Sequence, residues 1–160
     1  MKNMLIAMLF LLVANSSIAQ VDIGQMAPEI SLPNSNDSTI NLSSFKNKVV
    51  LVEFWASWCM PCRQSIPNVI RLYKKYKSKG FEVFSISIDV NKADWLAAVQ
   101  YDKIPYMQVN DKMGWNSLVA TAYNVNAIPS TFLLDKTGKI IAINAYGSRL
   151  ERKIKKLLRK

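Results

Sequence analysis

The sequence has no histidine and only two cysteines among its 160 residues. A zinc site normally needs four strong ligands, so two cysteines without a histidine disfavour a zinc centre. The missing histidine also disfavours copper chaperones that depend on this residue and proteases with a Cys–His pair. We therefore predict neither a metal site nor a cofactor.

Glycine and proline are also scarce, with five and six residues, and no segment has the low hydrophobicity of long disorder. No unit of about 20 to 50 residues repeats along the chain, which excludes a solenoid or a propeller. Half of the residues are apolar, and the length fits one domain with its own core.

No apolar run reaches the roughly 20 residues that a helix needs to span a bilayer. The longest run covers residues 4–14; it follows Lys2 and precedes a small-x-small triplet at residues 17–19, as in a secretory signal peptide. We predict a cleaved signal peptide over residues 1–19, a domain over residues 20–160, and export to the periplasm or the outside of the cytoplasmic membrane. An uncleaved membrane anchor is the alternative. A lipoprotein is disfavoured because no cysteine follows the run.

Acidic residues are few, with 11 against 21 basic ones, and the formal net charge is +10. Much of this charge lies in the last residues, where leucine and isoleucine recur at helical spacing. The pattern predicts an amphipathic terminal helix with a solvated basic face. Weak contact with an anionic membrane surface or an acidic partner is the alternative. The predicted export disfavours nucleic acid as a binding partner. The basic residues are Arg149, Arg152, Lys153, Lys155, Lys156, Arg159 and Lys160.

The two cysteines, Cys59 and Cys62, are separated by only two residues. In an oxidising compartment such a pair is expected to form a disulfide. The stabilisation from a bridge shrinks with the length of the loop that it closes. This spacing therefore favours a redox switch over a structural staple.

Hydrophobic patterns place the pair between a strand and a helix. Residues 49–55 form a nearly continuous apolar run, typical of a strand buried on both faces. After Cys62 the apolar spacing becomes helical and is expected to end at Gly80. The later patterns predict a strand over 81–89, a helix over 91–101, an irregular segment over 102–115, a short helix over 116–123, a hairpin of strands 130–135 and 139–145, and a helix after Gly147. Residues 29–32 and 39–42 predict a small hairpin. This order predicts an α/β fold with a parallel strand pair and an added hairpin.

This placement puts Cys59 at the helix N-terminus and Cys62 one turn inside. Unpaired N–H groups and the helix dipole favour the thiolate of Cys59. In CxxC motifs such surroundings lower a thiol pKa from about 8.5 to between roughly 3.5 and 7.5. Pro61 lies in the first helical turn, where its missing N–H costs little. We predict that Cys59 attacks and that Cys62 resolves.

Residues 49–62, VVLVEFWASWCMPC, resemble the active-site signature of thioredoxins, especially the exported TlpA/ResA-like branch with its WCxPC motif. Pro67 matches a proline that kinks the first long helix of this family. Residues 128–131, IPST, are similar to the family's cis-proline loop, and Gly147 matches a glycine near its last strand. The segment between Asp89 and Tyr123 is longer than in plain thioredoxin, as in this branch.

The resemblance implies a thioredoxin-like fold: a central mixed β-sheet flanked by helices, an N-terminal β extension, and a helical insert before the cis-proline loop. It also implies an enzyme that reduces protein disulfides, for example in cytochrome c maturation, with electrons from a membrane-bound donor. By resemblance Trp58, Met60 and Pro61 contact substrate together with Ile128 and Pro129. The backbone of Ile128 would pair with the substrate beside a cis Pro129; an ordinary trans proline is the alternative.

Glu53 stands within the apolar strand, six residues before Cys59, where thioredoxins carry a buried aspartate. A buried carboxyl has a raised pKa, so it can exchange a proton with Cys62. The alternative is a residue that points to a sheet edge or to solvent. Two departures from the family are Ser65, where ResA-like proteins often have an acid, and Ser85, near the position of a thioredoxin lysine.

The large aromatic residues are expected to pack in the core more than to bind. This prediction covers Trp55 and three residues of the inserted region, Trp95, Tyr106 and Trp115. The alternative for the last three is a substrate groove.

Two other functions are weighed against the oxidoreductase. A thiol peroxidase of the peroxiredoxin type typically has a Pro-x-x-x-Thr-x-x-Cys pattern, but Val52 and Ala56 occupy the proline and threonine positions. A thioredoxin-like scaffold with idle cysteines is the other alternative, and the intact WCMPC and IPST motifs disfavour it.

Overall fold

The structure, a computed structural model, describes residues 21–159. The predicted signal peptide over residues 1–19 lies outside the described residues and stays a prediction. The strands are β1 (Ser31–Pro33), β2 (Thr39–Asn41), β3 (Val49–Trp55), β4 (Phe81–Ser87), β5 (Met107–Asn110), β6 (Ser130–Leu134) and β7 (Ile140–Ile143). The helices are α1 (Met60–Tyr76), α2 (Lys92–Tyr101), α3 (Leu118–Ala122) and α4 (Gly147–Leu158).

Five strands form one mixed sheet in the order β5-β4-β3-β6-β7. Strands β3, β4 and β5 are parallel, whereas β6 and β7 continue the sheet in antiparallel pairs. The predicted small hairpin is present as β1 and β2, and Asn34 bridges from it to Val109 on the edge strand β5. The predicted thioredoxin-like architecture is confirmed.

Strand β3 is the central strand of the sheet. All seven of its residues are buried, and its neighbours are β4 and β6, as the nearly continuous apolar run predicts. Helices α1 and α4 cover one face of the sheet with a cluster that includes Leu72 and Ile154. Helix α2, α3 and the N-terminal hairpin cover the other face. The active-site loop therefore starts from the fully buried central strand of the sheet.

The predicted boundary of the first helix is confirmed. Helix α1 continues through Pro67 to Tyr76, and a 3₁₀ turn over Lys77–Lys79 leads into Gly80. Gly80 has φ 91°, a left-handed conformation that glycine adopts without strain.

The prediction of an irregular segment over residues 102–115 is wrong. It contains β5, which pairs in parallel with β4 and forms the edge of the sheet. The inserted region is therefore a helix followed by a strand, and not helical alone. Its four residues, Met-Gln-Val-Asn, alternate between apolar and polar, but the run is too short to stand out in the sequence, and its main hydrogen-bonding partner, β4, is distant in the chain.

The terminal helix α4 is amphipathic, as predicted: Leu150, Ile154 and Leu157 are buried, and most of its basic side chains are exposed. Across residues 21–159, no helix has both the length and the apolar character required to cross a membrane.

Candidate active site

Cys59 caps the N-terminus of α1, and Cys62 lies in its first turn, as the sequence predicts. The two form a disulfide with an S–S distance of 2.03 Å. Cys59 retains 5% exposure and Cys62 has none, so Cys59 is the sulfur nearer the surface. The N–H of Cys62 donates to Sγ of Cys59 at 3.2 Å. The amide groups of the first helical turn thus face Cys59, an arrangement that stabilises negative charge on this sulfur.

The loop between β3 and α1 is held by Asp89, a residue that sequence reasoning did not single out. The Asp89 carboxylate accepts hydrogen bonds from the Ser57 N–H at 2.9 Å and from the Ser57 hydroxyl at 2.6 Å. It also accepts from the Ser87 hydroxyl at 2.7 Å. Asp89 is 2% exposed, and it anchors the loop that leads into Cys59 to the end of β4.

The same polar network continues into the inserted region. The side-chain amide of Asn110 donates to the carbonyl of Asp89 at 2.8 Å and to the Ser87 hydroxyl at 3.1 Å. The next residue, Asp111, accepts from Ser117, which caps α3. The ends of β4 and β5 and the start of α3 are therefore tied to the active-site loop.

The bond between Ile128 and Pro129 is cis, so the trans alternative is wrong. Phe54 of β3 pairs with Ser130 of β6, which places Pro129 level with the end of β3, where the loop to Cys59 begins. Tyr146 fixes this loop from the start of α4: its hydroxyl donates to the carbonyl of Pro129 at 2.8 Å. Ile128 is partly exposed beside this contact.

Two exposed side chains flank the cysteines: Trp58 and Met60, with 58% and 64% of their surface accessible. The Trp58 ring lies 6.4 Å from the ring of Trp115, which is itself 52% exposed. The prediction that Trp115 packs in the core is therefore wrong, whereas Trp55, Trp95 and Tyr106 are buried as predicted.

An open groove runs from this surface along α1 towards α2. Its floor and walls include Met60, Tyr101 and Arg63. Arg63 makes a two-pronged ion pair with Asp102, at 2.8 Å for each contact, and its guanidinium lies over the ring of Tyr101 at 5.2 Å. The groove begins beside the disulfide and ends on the inserted helix.

Glu53 is buried in β3 with 1% exposure, so the alternative of a solvent-facing or edge residue is wrong. Its Oε2 accepts a hydrogen bond from the Ser85 hydroxyl at 3.1 Å. Burial raises the pKa of Glu53 to about 7, against the smaller lowering effects of the Ser85 and Tyr106 hydroxyls. Ser65, at the family's acidic position, donates instead to the carbonyl of Cys62 at 2.7 Å. Glu53 is thus the buried acid of this site.

Within residues 21–159, no group of three or more cysteine, aspartate or glutamate side chains is arranged to hold a metal ion.

Comparisons with known proteins agree on the kind of protein. The AhpC/TSA family matches residues 23–143. The thiol-disulfide oxidoreductase ResA of Bacillus thuringiensis subsp. konkukian is 36% identical over 125 residues, which cover 76% of this chain and 69% of that protein. The thioredoxin domain of a Bacteroides vulgatus thiol-disulfide oxidoreductase superposes with a TM-score of 0.82 at 31% identity, covering 87% of this chain and 99% of that one.

A thiol-disulfide oxidoreductase from Bacteroides fragilis is 37% identical, with a TM-score of 0.79, and the match covers 83% of this chain and 99% of that one. The family match spans all seven strands, helices α1 to α3 and both cysteines. The chain therefore belongs to the AhpC/TSA family, and it is a thioredoxin-like thiol–disulfide oxidoreductase with Cys59 and Cys62 as its cysteine pair.

Proposed function

We propose that the chain is an exported oxidoreductase that reduces protein disulfides, with Cys59 as nucleophile and Cys62 as resolving cysteine. The observation that carries this proposal is the position of the two sulfurs at the start of α1. Cys59 caps the helix near the surface, where amide groups favour its thiolate, whereas Cys62 is fully buried. A low-pKa outer thiol and a shielded inner thiol suit attack and resolution respectively.

The reaction begins from the reduced pair. The Cys59 thiolate attacks one sulfur of the substrate disulfide, forms a mixed disulfide and releases the other substrate sulfur as a thiolate, which takes a proton from solvent. Cys62 then loses its proton and attacks Sγ of Cys59, so that the second substrate thiolate leaves. Two electrons pass from the protein dithiol to the substrate disulfide, and the protein ends with the Cys59–Cys62 disulfide seen in the structure.

Glu53 is the proposed proton acceptor for Cys62. A carboxyl with a pKa of about 7 is ionised often enough to accept a proton and protonated often enough to return it. The burial of both groups supports this role, since solvent has little direct access to either. The reverse transfer serves the reduction of the disulfide by an electron donor.

Substrate contact is assigned to five residues around the disulfide: Trp58, Met60, Pro61, Ile128 and Pro129. The exposure of Trp58 and Met60 and the partial exposure of Ile128 support this assignment. The backbone of Ile128 would pair with an extended segment of substrate. The neighbouring rings of Trp58 and Trp115 would pack against apolar side chains of the substrate.

The N-terminal pattern supports the proposed location, and the location in turn suggests the partners. A signal peptide over residues 1–19 would export the domain over residues 20–160 to the periplasm or the outer side of the membrane. A reductant in that compartment needs a membrane-bound electron donor. The process in which we propose that it acts is cytochrome c maturation. The exposed basic side chains of α4 support at most weak contact with an anionic membrane.

The reduction potential of the mature protein, equilibrated with defined thiol buffers, tests the direction. A potential near the roughly −270 mV of thioredoxin supports a reductase, and one near the roughly −120 mV of DsbA overturns that direction. Cys62→Ser is expected to trap a mixed disulfide with a model protein substrate through Cys59. Cys59→Ser serves as the control that forms no such complex.

The match to the AhpC/TSA family keeps thiol peroxidase as a second candidate. Val52 and Ala56 at the proline and threonine positions of the peroxidase pattern speak against it, as does Cys62 three residues after Cys59. Consumption of hydrogen peroxide by the reduced protein, with Cys59→Ser as control, separates the two activities.

A further inference from the structure

A row of four buried polar side chains crosses the sheet below the active site. Glu53 on β3 is level with Ser85 on β4 and with Thr131 on β6, and Ser85 is level with Gln108 on β5. All four are at least nine-tenths buried. Strands in the middle of a covered sheet normally carry apolar residues on both faces, so an in-register polar row needs a physical reason.

Two hydrogen-bond donors, one in this row and one beside it, lack partners within residues 21–159. The Ser85 hydroxyl donates to Glu53, and the Trp55 indole N–H donates to Oε1 of Gln108 at 3.2 Å. Nε2 of Gln108 and the hydroxyl of Tyr106 have no partner, although both side chains are more than nine-tenths buried. An unpaired buried donor lowers stability, and a hydrogen bond to ordered water is the usual way in which proteins avoid this loss.

A cavity at the edge strand β5 offers the space for such water. Tyr106 and Gln108 line it, together with Pro105, Glu82 and Trp95. The indole N–H of Trp95 is a third buried donor without a described partner. Tyr106 also acts electrostatically on Glu53, and Gln108 adjoins Ser85 in the polar row. Tyr106 and Gln108 therefore border both the cavity and the surroundings of Glu53.

We propose that Ser85, Tyr106 and Gln108, with ordered water, form a proton relay that connects Glu53 to solvent through the cavity at the β5 edge. In outward transfer the Glu53 carboxyl gives its proton to the relay and becomes a carboxylate, while the last water passes a proton to solvent. A hydroxyl can donate and accept at once, so Ser85 and Tyr106 can carry the proton. Nε2 of Gln108 only donates, which makes Gln108 a positioning residue for water.

The relay matters because of where it opens. The disulfide lies at the end of β3, and β5 is two strands away, roughly 10 Å at the usual strand spacing. A protein substrate docked over Cys59 shields the front of the site from water. Proton exchange through the β5 edge continues while that complex exists, so substrate and protons use different faces of the molecule. This inference rests on the proposed role of Glu53.

The groups that face Glu53 keep the relay neutral. Tyr106 and Tyr146 both interact electrostatically with Glu53. Burial raises the pKa of Tyr106 well above its usual range, so the Tyr106 hydroxyl keeps its proton. In the part of the chain that the structure describes, no lysine or arginine contributes to the pKa shift of Glu53. Asp102 contributes to the raised pKa of Tyr106 but not to that of Glu53. Hydroxyl donors thus occupy the place of a cationic partner.

Nuclear magnetic resonance of the oxidised wild-type protein tests for the water directly. Cross-relaxation with water is expected at the side-chain amide protons of Gln108 and at the hydroxyl proton of Tyr106. If these protons show no contact with water, the relay is excluded. Neither thiol titrates in this state, because the cysteines are joined, and no substrate is present.

Variants then test transfer at Glu53 in the same oxidised protein. Tyr106→Phe is expected to raise the pKa of Glu53, since the nearby hydroxyl that lowers this pKa is lost. Tyr106→Phe and Gln108→Leu are both expected to slow proton exchange at Glu53 by about tenfold or more, followed by infrared spectroscopy after a pH jump. Tyr73→Phe is the matched control, because Tyr73 lines the same cavity and packs 5.6 Å from the Tyr106 ring without shifting the pKa of Glu53.

Unchanged exchange in both relay variants overturns the proposal even if the protein reduces disulfides normally. Equal slowing in Tyr73→Phe also overturns it, because the effect would then come from general loosening of the cavity. A protein that shows the water contacts and the slowed exchange but reduces no protein disulfide keeps the relay and loses the proposed function.

Discussion

Glu53 and Asp89 are the two acidic residues whose side chains are buried next to the active-site loop and strand, and they do different things. Glu53 is buried with hydroxyl partners only, so its charged form is disfavoured. Asp89 receives three hydrogen bonds on its two carboxylate oxygens and thereby holds a loop. Proton exchange is the role that we propose for Glu53, whereas Asp89 fixes the geometry of the loop.

We expect Glu53→Gln to change how stability depends on pH. The folded protein holds the Glu53 proton more tightly than the unfolded chain, with a pKa of about 7 against 4.5. The free energy of unfolding therefore falls as pH rises between these values, by roughly 3 kcal/mol in total. Glu53→Gln should remove this fall and be more stable than the wild type above about pH 7. Urea unfolding of the oxidised wild type and of Glu53→Gln at several pH values measures this dependence. If the free energies of unfolding of the two proteins changed in parallel with pH, the raised pKa of Glu53 would be refuted.

We expect Asp89→Asn to loosen the active-site loop and to lower the free energy of unfolding by about 1–3 kcal/mol, because buried hydrogen bonds to a charged group are lost. The combined variant with Ser57→Ala should lose less than the sum of the single variants, since both remove the same contact. Asp94→Asn, an exposed aspartate on α2, is the control and should change stability by less than about 0.5 kcal/mol. Strictly additive losses would show that Asp89 acts elsewhere.

Among the elements, α1 and α4 are joined by one acidic residue. Glu151 of α4 meets Arg71 at 2.9 Å, Lys75 at 2.8 Å and the Tyr76 hydroxyl at 2.9 Å, all on α1. Hydrogen bonds from Lys75, Arg71 and Tyr76 lower the pKa of Glu151 to about 2. These contacts fix the helix that carries the cysteines against the C-terminal helix.

We expect Glu151→Gln to lower the free energy of unfolding by about 1 kcal/mol at neutral pH, a modest value because the cationic partners are half exposed. Since the folded pKa is depressed, this stabilisation is present above about pH 4.5 and disappears as pH falls towards about 2. Lys155→Gln, on the solvent side of the same helix, is the control. An equal effect at about pH 3 and at neutral pH would contradict an electrostatic origin.

The inserted region supplies an aromatic side chain to the active-site surface. Trp115 stands beside Trp58 and is half exposed, so it is available to a substrate. We expect Trp115→Ala to slow exchange with a protein disulfide by about 5- to 30-fold, as for loss of an aromatic contact at an interface. Exchange with a small dithiol should stay unchanged, because it needs only the cysteines. Met26→Ala is the control, because Met26 is a similarly exposed apolar residue that is distant from Trp115 in the chain. If Trp115→Ala slowed exchange equally with the protein disulfide and with the small dithiol, a docking role would be refuted.

At the scale of the whole molecule, the net charge of +10 is unevenly spread. Helix α4 buries its apolar side chains in the core, so only its basic face is free to meet another surface. We expect binding to anionic vesicles at about 10 mM salt and release near about 150 mM, where the screening length drops from about 30 Å to about 8 Å. Co-sedimentation with the vesicles measures this binding. Neutral vesicles and the Lys155→Gln, Lys156→Gln double variant are the controls. Binding that persists at high salt would require an apolar contact instead.

The sequence by itself determined the local elements around the cysteines. A nearly continuous apolar run predicts a strand at β3 that is covered on both faces, and the change to helical spacing after Cys62 predicts α1. Both signals depend only on neighbours in the chain. The position of Cys59 at the helix start follows from the same local pattern, as does the end of α1 at Gly80.

Only the tertiary structure decided the features that join distant residues. Strand β5 exists because β4 offers it a hydrogen-bonding edge, and Asp89 meets Ser57 across 32 positions of the chain. The exposure of Trp115 and the in-register row beside Glu53 likewise depend on how strands and loops pack, which no local pattern encodes. Local periodicity specifies a residue's own element, whereas its partners are set by the sheet order and by the packing of the insert against the active-site loop.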